Sequence, residues 1–131
     1  MPGPDDWEHM IRIDERREHG LLTLTIDGFL TPDDVAALAA ALGTRARDAH
    51  AEGRAFDVLV DSRGFPVQAN DVADGLAAIM RGGMALTPGH AAVVVGSHLN
   101  KLQAERTLVH PRLRVFLALD KAEDWLAACR V

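Results

Sequence analysis

The sequence predicts a single α/β domain. Its sheet has five mostly parallel strands with an N-terminal antiparallel hairpin strand, and four helices complete the order β-β-α-β-α-β-α-β-α. Three observations predict this. The segments Ala55–Asp61 and Ala91–Ser97 carry unbroken apolar runs, Val58-Leu59-Val60 and Ala91 to Val95, as strands covered on both faces of a parallel sheet do. The segments between and after them place apolar residues at helical spacing. The first strand-like stretch, His9–Asp14, alternates Ile11 and Ile13 with Arg12 and Asp14, which suits an edge strand with one wet face. Strand–helix alternation after the first hairpin implies right-handed parallel crossovers.

The elements follow in order. Residues 1–6, rich in Pro and Gly, read as a frayed tail. The charged stretch Glu15–Gly20 connects the first strand to a second, Leu21–Asp27, as its antiparallel neighbour. Thr31 is a good N-cap, Pro32 suits the first helical position, and Asp33 and Asp34 favour the positive end of the helix dipole. Val35, Leu38, Ala39 and Leu42 share a face, so the first helix is placed at 32–51. A second helix starts near Asn70, buries Val72, Leu76, Ile79 and Met80, and is expected to stop at Gly82-Gly83. The stretch "GGMALTPG" (82–89) reads as the most flexible internal piece. Met84 and Leu86 there form either a mobile apolar lip or an ordinary connection. Ser97 caps a short helix that sets Leu99, Leu102 and Leu108 on the sheet, and Pro111 ends it. Its outer face is either wetted or a partner-docking face. Arg112–Leu119 is the last strand, with Arg112 and Arg114 guarding an edge. Asp120 caps a final helix carrying Trp125 and Leu126, and Trp7 and Trp125 close the ends of the core.

Length and composition bound the function. A chain of 131 residues suits one domain able to bury about two thirds of its unfolded surface. With 14 Lys+Arg against 19 Asp+Glu, the net charge is -5, which disfavours a nucleic-acid binder. No apolar stretch approaches the ~20 residues needed to span a bilayer. The start, "MPGPDDWEHM", is not a secretory signal. Cys129 is the only cysteine, so no internal disulfide forms, which fits a reducing compartment. The expected location is therefore the cytoplasm. Cys129 reads as a small half-buried side chain rather than a nucleophile.

The stretches "GFLTPDDV", "FDVLVDSRG", "AAVVVGSHLNKLQAER" and "RVFLALDKAEDWL", in that order, resemble the SpoIIAA-like proteins. These are small bacterial relatives of the STAS domain that are also compared with the Sec-fourteen lipid-binding fold. The resemblance spans about Glu8 to Leu126. It implies a five-stranded sheet with helices and a signalling or interaction role. The better-known STAS members are phosphorylated on a serine at the start of the helix following the strand that corresponds here to Phe56–Asp61. This chain reads "VQANDVADG" there, with no serine or threonine between Val67 and Gly75. Ser62 lies earlier, at the strand end, so the phospho-switch is not carried over.

In an open parallel sheet, ligands bind outside the carboxyl ends of the strands. That rim should gather Asp27, Asp61, Ser62, Arg63, Ser97, His98 and Lys121. Ser97 and His98 open a helix whose free amides attract anions, and Arg63 could add a fork of donors. Alternatively, Asp61, Ser97 and Asp120 only cap loops and helices. Catalytic constellations are not found. A phospho-receiver needs an acidic pair after the first strand and two strand–helix units before the accepting acid; one helix separates Asp27 from Asp61, and Gly28 follows Asp27. A nucleophile elbow needs glycines on both sides of its serine, and neither Ser62 nor Ser97 has them. There is no phosphate loop and no dinucleotide fingerprint. The six histidines include no i,i+4 pair, and His90 and His98 flank one strand at opposite ends. No metal or cofactor is expected. The function expected is a non-enzymatic regulatory or protein-interaction module, with a protein partner or self-association. The alternative is a binding domain for a small anionic or lipid-like ligand, with Arg63, Ser97 and His98 at its polar end.

Overall fold

The structure, a computed structural model, describes residues 11–66 and 68–129. The tail expected at 1–6, Trp7 and the first two residues of the expected first strand lie outside the described residues. The elements are β1 (Ile11–Arg16), a 3-10 turn (Arg17–His19), β2 (Leu21–Asp27), α1 (Pro32–Ala51), β3 (Asp57–Gly64), α2 (Asn70–Ala85), β4 (Ala91–Val95), α3 (His98–Thr107), β5 (Leu113–Phe116) and α4 (Leu119–Cys129). The sheet order is β1-β2-β3-β4-β5. β1 and β2 are antiparallel and the other pairs parallel.

Chain order equals sheet order, so every right-handed crossover steps the same way and lands on the same face. α1, α2 and α3 accordingly pack over Leu22, Leu24, Val58, Val60, Val93 and Val95. α4 follows the last strand and folds back over the other face, against Leu59, Ala92 and Val94. Both faces of β3 and β4 are therefore buried, which explains their unbroken apolar runs.

α1 matches its sequence signals to the residue. Thr31 Oγ1 accepts from Asp34 N at 3.1 Å, while Asp34 Oδ2 accepts from Thr31 N at 2.8 Å, a reciprocal capping box. Glu15 on β1 then accepts from Arg45 and Arg54 at 3.3 and 3.4 Å, tying the hairpin to the helix and to the entry of β3.

Four expectations are corrected. α2 does not stop at Gly82-Gly83 but runs to Ala85. Glycine lowers helix propensity by about 1 kcal/mol without breaking the hydrogen-bond ladder, and burial of Met84 on the core side carries the helix through. Met84 is thus core, not lip. The connection after α2 is held on every side: Thr87 Oγ1 accepts from Phe56 N (2.9 Å) and donates to Phe56 O (2.8 Å), and Arg112 donates to the carbonyls of Met84, Thr87 and Gly89. Arg112 precedes β5 and clamps this loop, so only Arg114 stands on the edge strand, over the Phe116 ring. α4 begins at Leu119, which puts Asp120 inside its first turn.

The fourth correction concerns α3. Leu99 and Leu102 do not face the sheet; they are 65% and 61% exposed. The inward stripe is Asn100, Gln103, Ala104, Thr107 and Leu108, which is also helically spaced. Trp125 packs against Phe116 and His90 on the α4 side, partly buried against the smaller core cluster.

Candidate functional site

The parallel strands bring the predicted rim residues to one end of the sheet, but pleating divides them between its two faces. Ser62 pairs in register with Val95. It follows Val58 and Val60 onto the three-helix side, where it is buried and donates from Oγ to the Val94 carbonyl at 2.7 Å. Asp61 and Arg63 alternate to the α4 side. They form a forked ion pair, Nε to Oδ1 at 2.9 Å and Nη2 to Oδ2 at 2.8 Å. β3 extends to Gly64, so these residues are strand rather than loop.

The remaining rim residues have other roles. Asp27 is exposed and lies against Gly64. Ser97 caps α3 by accepting from Asn100 N at 3.1 Å. His98 opens α3 and is exposed, and Lys121 is exposed in the first turn of α4. Of the seven, Ser62 alone lines the partly open cavity between the sheet and the helices α2 and α3. Arg63 is turned away from it.

That cavity, of about 80 Å³, lies between the carboxyl halves of β2–β4 and the two helices. Val60, Ser62, Val93 and Val95 form its floor, Ala73, Leu76, Ile79 and Met80 its α2 wall, and Asn100, Gln103, Ala104 and Thr107 its α3 wall. A second cavity of about 210 Å³, apolar but for Arg47, lies between α1 and α2, nearer the amino ends of the strands. Leu24, Ile79 and Met80 border both, so α2 roofs two adjoining voids.

The mouth is shaped by amides that link distant segments. Gln68 is buried; it accepts from Leu30 N at 3.1 Å and donates to Gly28 O at 3.2 Å and Pro66 O at 2.8 Å. Asn100 Nδ2 donates to Phe65 O at 2.7 Å, and Gln103 Nε2 to Gln68 O at 3.2 Å. α3 thus holds the segment after β3 in place through its inward side chains. Sequence reasoning missed all three amides. The signal that could have found them is the Asn100, Gln103, Thr107 spacing, a polar stripe on a helix whose neighbouring leucines claimed the buried face.

No lysine, arginine or histidine among the described residues lines this cavity. Among the described residues, no three His, Cys, Asp or Glu side chains group to hold a metal ion, and no helix is long and apolar enough to cross a membrane. Comparison with known proteins finds no family model that matches the chain and no curated protein that matches it.

The Asp61–Arg63 pair carries its own prediction. The guanidinium hydrogen bonds hold the Asp61 carboxyl below its usual range, against a smaller opposing effect of burial. A carboxylate with a depressed folded pKa adds stability that is present above its unfolded pKa and is lost as pH falls through the folded value. Arg63→Ala is therefore expected to raise the Asp61 titration in a carboxyl NMR experiment. It should also lower stability slightly at pH near 7, with the difference from wild type vanishing in acid below the wild-type Asp61 titration. An unmoved Asp61 titration would refute the pairing in solution.

Proposed function

We propose that this chain is a non-enzymatic binding module that takes the apolar part of a small ligand into the cavity beneath α2 and α3, at the carboxyl ends of the strands. The observation that carries the proposal is the inverted face of α3. Burying a leucine contributes about 1.5–3 kcal/mol, yet Leu99 and Leu102 stay outside while Asn100, Gln103 and Thr107 point inward around a void. Local rules are broken most often where a protein works rather than where it is merely stable. The position agrees with the general place of ligand sites in open α/β sheets.

The dimensions narrow the ligand. Small-molecule pockets run from about 300 to 1,000 Å³, and the cavity at the carboxyl ends is far smaller. Its partition from the second void rests partly on Met80, whose unbranched side chain repacks easily. A slender chain that displaces Met80 and runs under α2 fits both spaces better than a compact ring. The likeness to the Sec-fourteen fold supports an acyl-type ligand. The likeness to STAS domains supports a regulatory use, in which occupancy alters the rim that a partner reads. A second reading, a protein partner docking on Leu99 and Leu102 of α3, draws on the same exposed leucines and does not need the cavity.

Filling the cavity tests the proposal. Ala73→Leu grows into the void from α2, so it should cost less than the ~1–3 kcal/mol of overpacking a dense core. A ligand at 100 times its Kd stabilises the wild type by roughly 2.7 kcal/mol. Thermal-shift titration with decyl-chain compounds should show that stabilisation, and Ala73→Leu should abolish most of it. Equal stabilisation of both proteins would place the ligand elsewhere, and docking on α3 would then be the better reading.

A further inference from the structure

We propose that the head group this cavity accepts is uncharged and donates a hydrogen bond, as an alcohol or amide does, with Asn100 Oδ1 as its acceptor. The inference rests on the cavity being a ligand site and adds the chemistry of what enters it.

Asn100 Oδ1 is buried and has no hydrogen-bond partner among the described residues. Its amide orientation is fixed by Phe65: Nδ2 lies 2.7 Å from the Phe65 carbonyl, and the flipped amide would set oxygen against oxygen. The oxygen is also sealed from water, so it is satisfied by neither protein nor solvent. A buried polar group in that state is destabilising, and such groups are rare in folded proteins. Asn100 lines the cavity, so a molecule filling that space and easing its wall can supply the missing donor.

The other polar groups decide against a charge. The Ser62 hydroxyl hydrogen is committed to Val94 O and that of Thr107 to Gln103 O. Gln68 uses both of its N–H groups and its oxygen. What remains on the side chains of the cavity wall is lone pairs on Ser62 Oγ, Thr107 Oγ1, Gln103 Oε1 and Asn100 Oδ1, and one N–H on each of the Asn100 and Gln103 amides. Among the described residues no cation lines this cavity to meet a carboxylate or phosphate, Arg47 standing only on the second one, and no carboxylate lines it to meet an ammonium. An unpaired charge in such a site is strongly disfavoured. A hydroxyl donates to Asn100 Oδ1 and accepts from a remaining amide N–H, which satisfies both without charge. The proposal departs from the sequence-based expectation of an anionic ligand, because the guanidinium expected at the polar end, Arg63, is paired with Asp61 on the opposite face.

Four ligands with one tail separate the outcomes: decane, decanol, decanoate and decylammonium, titrated into the intact chain at neutral pH by calorimetry. Decanol is expected to bind at least about fivefold more tightly than decane, the worth of one net hydrogen bond, and more tightly than either ion. Asn100→Leu should bring decanol down to the affinity of decane, the ratio of the two affinities being the readout because Asn100 also holds Phe65. Asn100→Asp keeps the shape, and its charge should turn the preference toward decylammonium, so the inference stays testable if the leucine variant folds poorly. Decanoate binding as tightly as decanol, or an unchanged decanol advantage in Asn100→Leu, would overturn the head-group assignment while leaving the cavity reading standing. Failure of all four to bind would overturn both.

Discussion

Arg112→Ala is expected to lower stability by about 3 kcal/mol, the largest effect of any single side-chain truncation outside the apolar core. The Arg112 guanidinium donates to Thr87 O (2.7 Å), Gly89 O (2.5 Å) and Met84 O (2.9 Å). Hydrogen bonds from a charged donor are worth about 1.5–3 kcal/mol each. They share one loop and do not add fully, so the sum is discounted. Truncation leaves three carbonyls without their donor at the end of α2 and the entry to β4. Arg112→Lys should recover less than half of the loss, because a single ammonium cannot reproduce the planar fork. Thr87→Val removes the hydroxyl that bridges Phe56 and Gly89 and should cost about 2 kcal/mol. Urea denaturation is the measurement: the midpoint should fall with the slope unchanged. An Arg112→Ala protein within about 0.5 kcal/mol of wild type, the usual range of a neutral surface change, would mean that the clamp does not form in solution.

Gly96→Ala is expected to cost about 2–4 kcal/mol, by backbone overlap rather than a lost contact. A β-carbon at Gly96 would fall inside the Arg63 carbonyl oxygen, with the carbonyl carbon 3.2 Å away. The exits of β3 and β4 approach more closely here than any side chain permits, and backbone cannot swing aside as a flexible side chain can. The displacement would reach Val95 and α3, which line the cavity, so ligand binding should weaken together with stability. Gly64→Ala is the control. There the nearest atoms to the new β-carbon all belong to the side chain of the exposed Asp27, whose carboxylate can rotate away, and the cost should stay below about 0.5 kcal/mol. Equal losses in the two variants would show that the close approach of the strands is not what makes Gly96 necessary.

The residues that could be read from sequence and those that could not differ in the range of the forces that place them. The start of α1 was legible because Thr31, Pro32 and Asp34 act within one turn. β3 and β4 were legible because burial on both faces leaves an unbroken apolar run. Ser62 was placed at the rim by the strand-end rule; its face was not read, although alternation with Val60 fixes it. Arg63 was misjudged although the information was present: two residues apart on a strand, Asp61 and Arg63 must share a face and can pair. The rotation of α3 was not legible. Leu99 and Leu102 favour one face by local pattern, and the links of Asn100 to Phe65 and Gln103 to Gln68, each 35 residues apart in sequence, decide for another. Gln68 was invisible for the same reason, since its partners Gly28 and Leu30 lie across the sheet. The cavity exists because those long-range amides win.

The central claim, that the space beneath α2 and α3 receives an apolar chain, is tested most directly by mapping amide shifts of isotope-labelled protein during titration with decanol. Saturable shifts concentrated at Val60–Ser62, Val93–Val95, Leu76–Met80 and Asn100–Thr107 are the predicted result. Shifts centred on Leu59, Trp125 and Leu126 beneath α4, or no saturable shift at all, would contradict it.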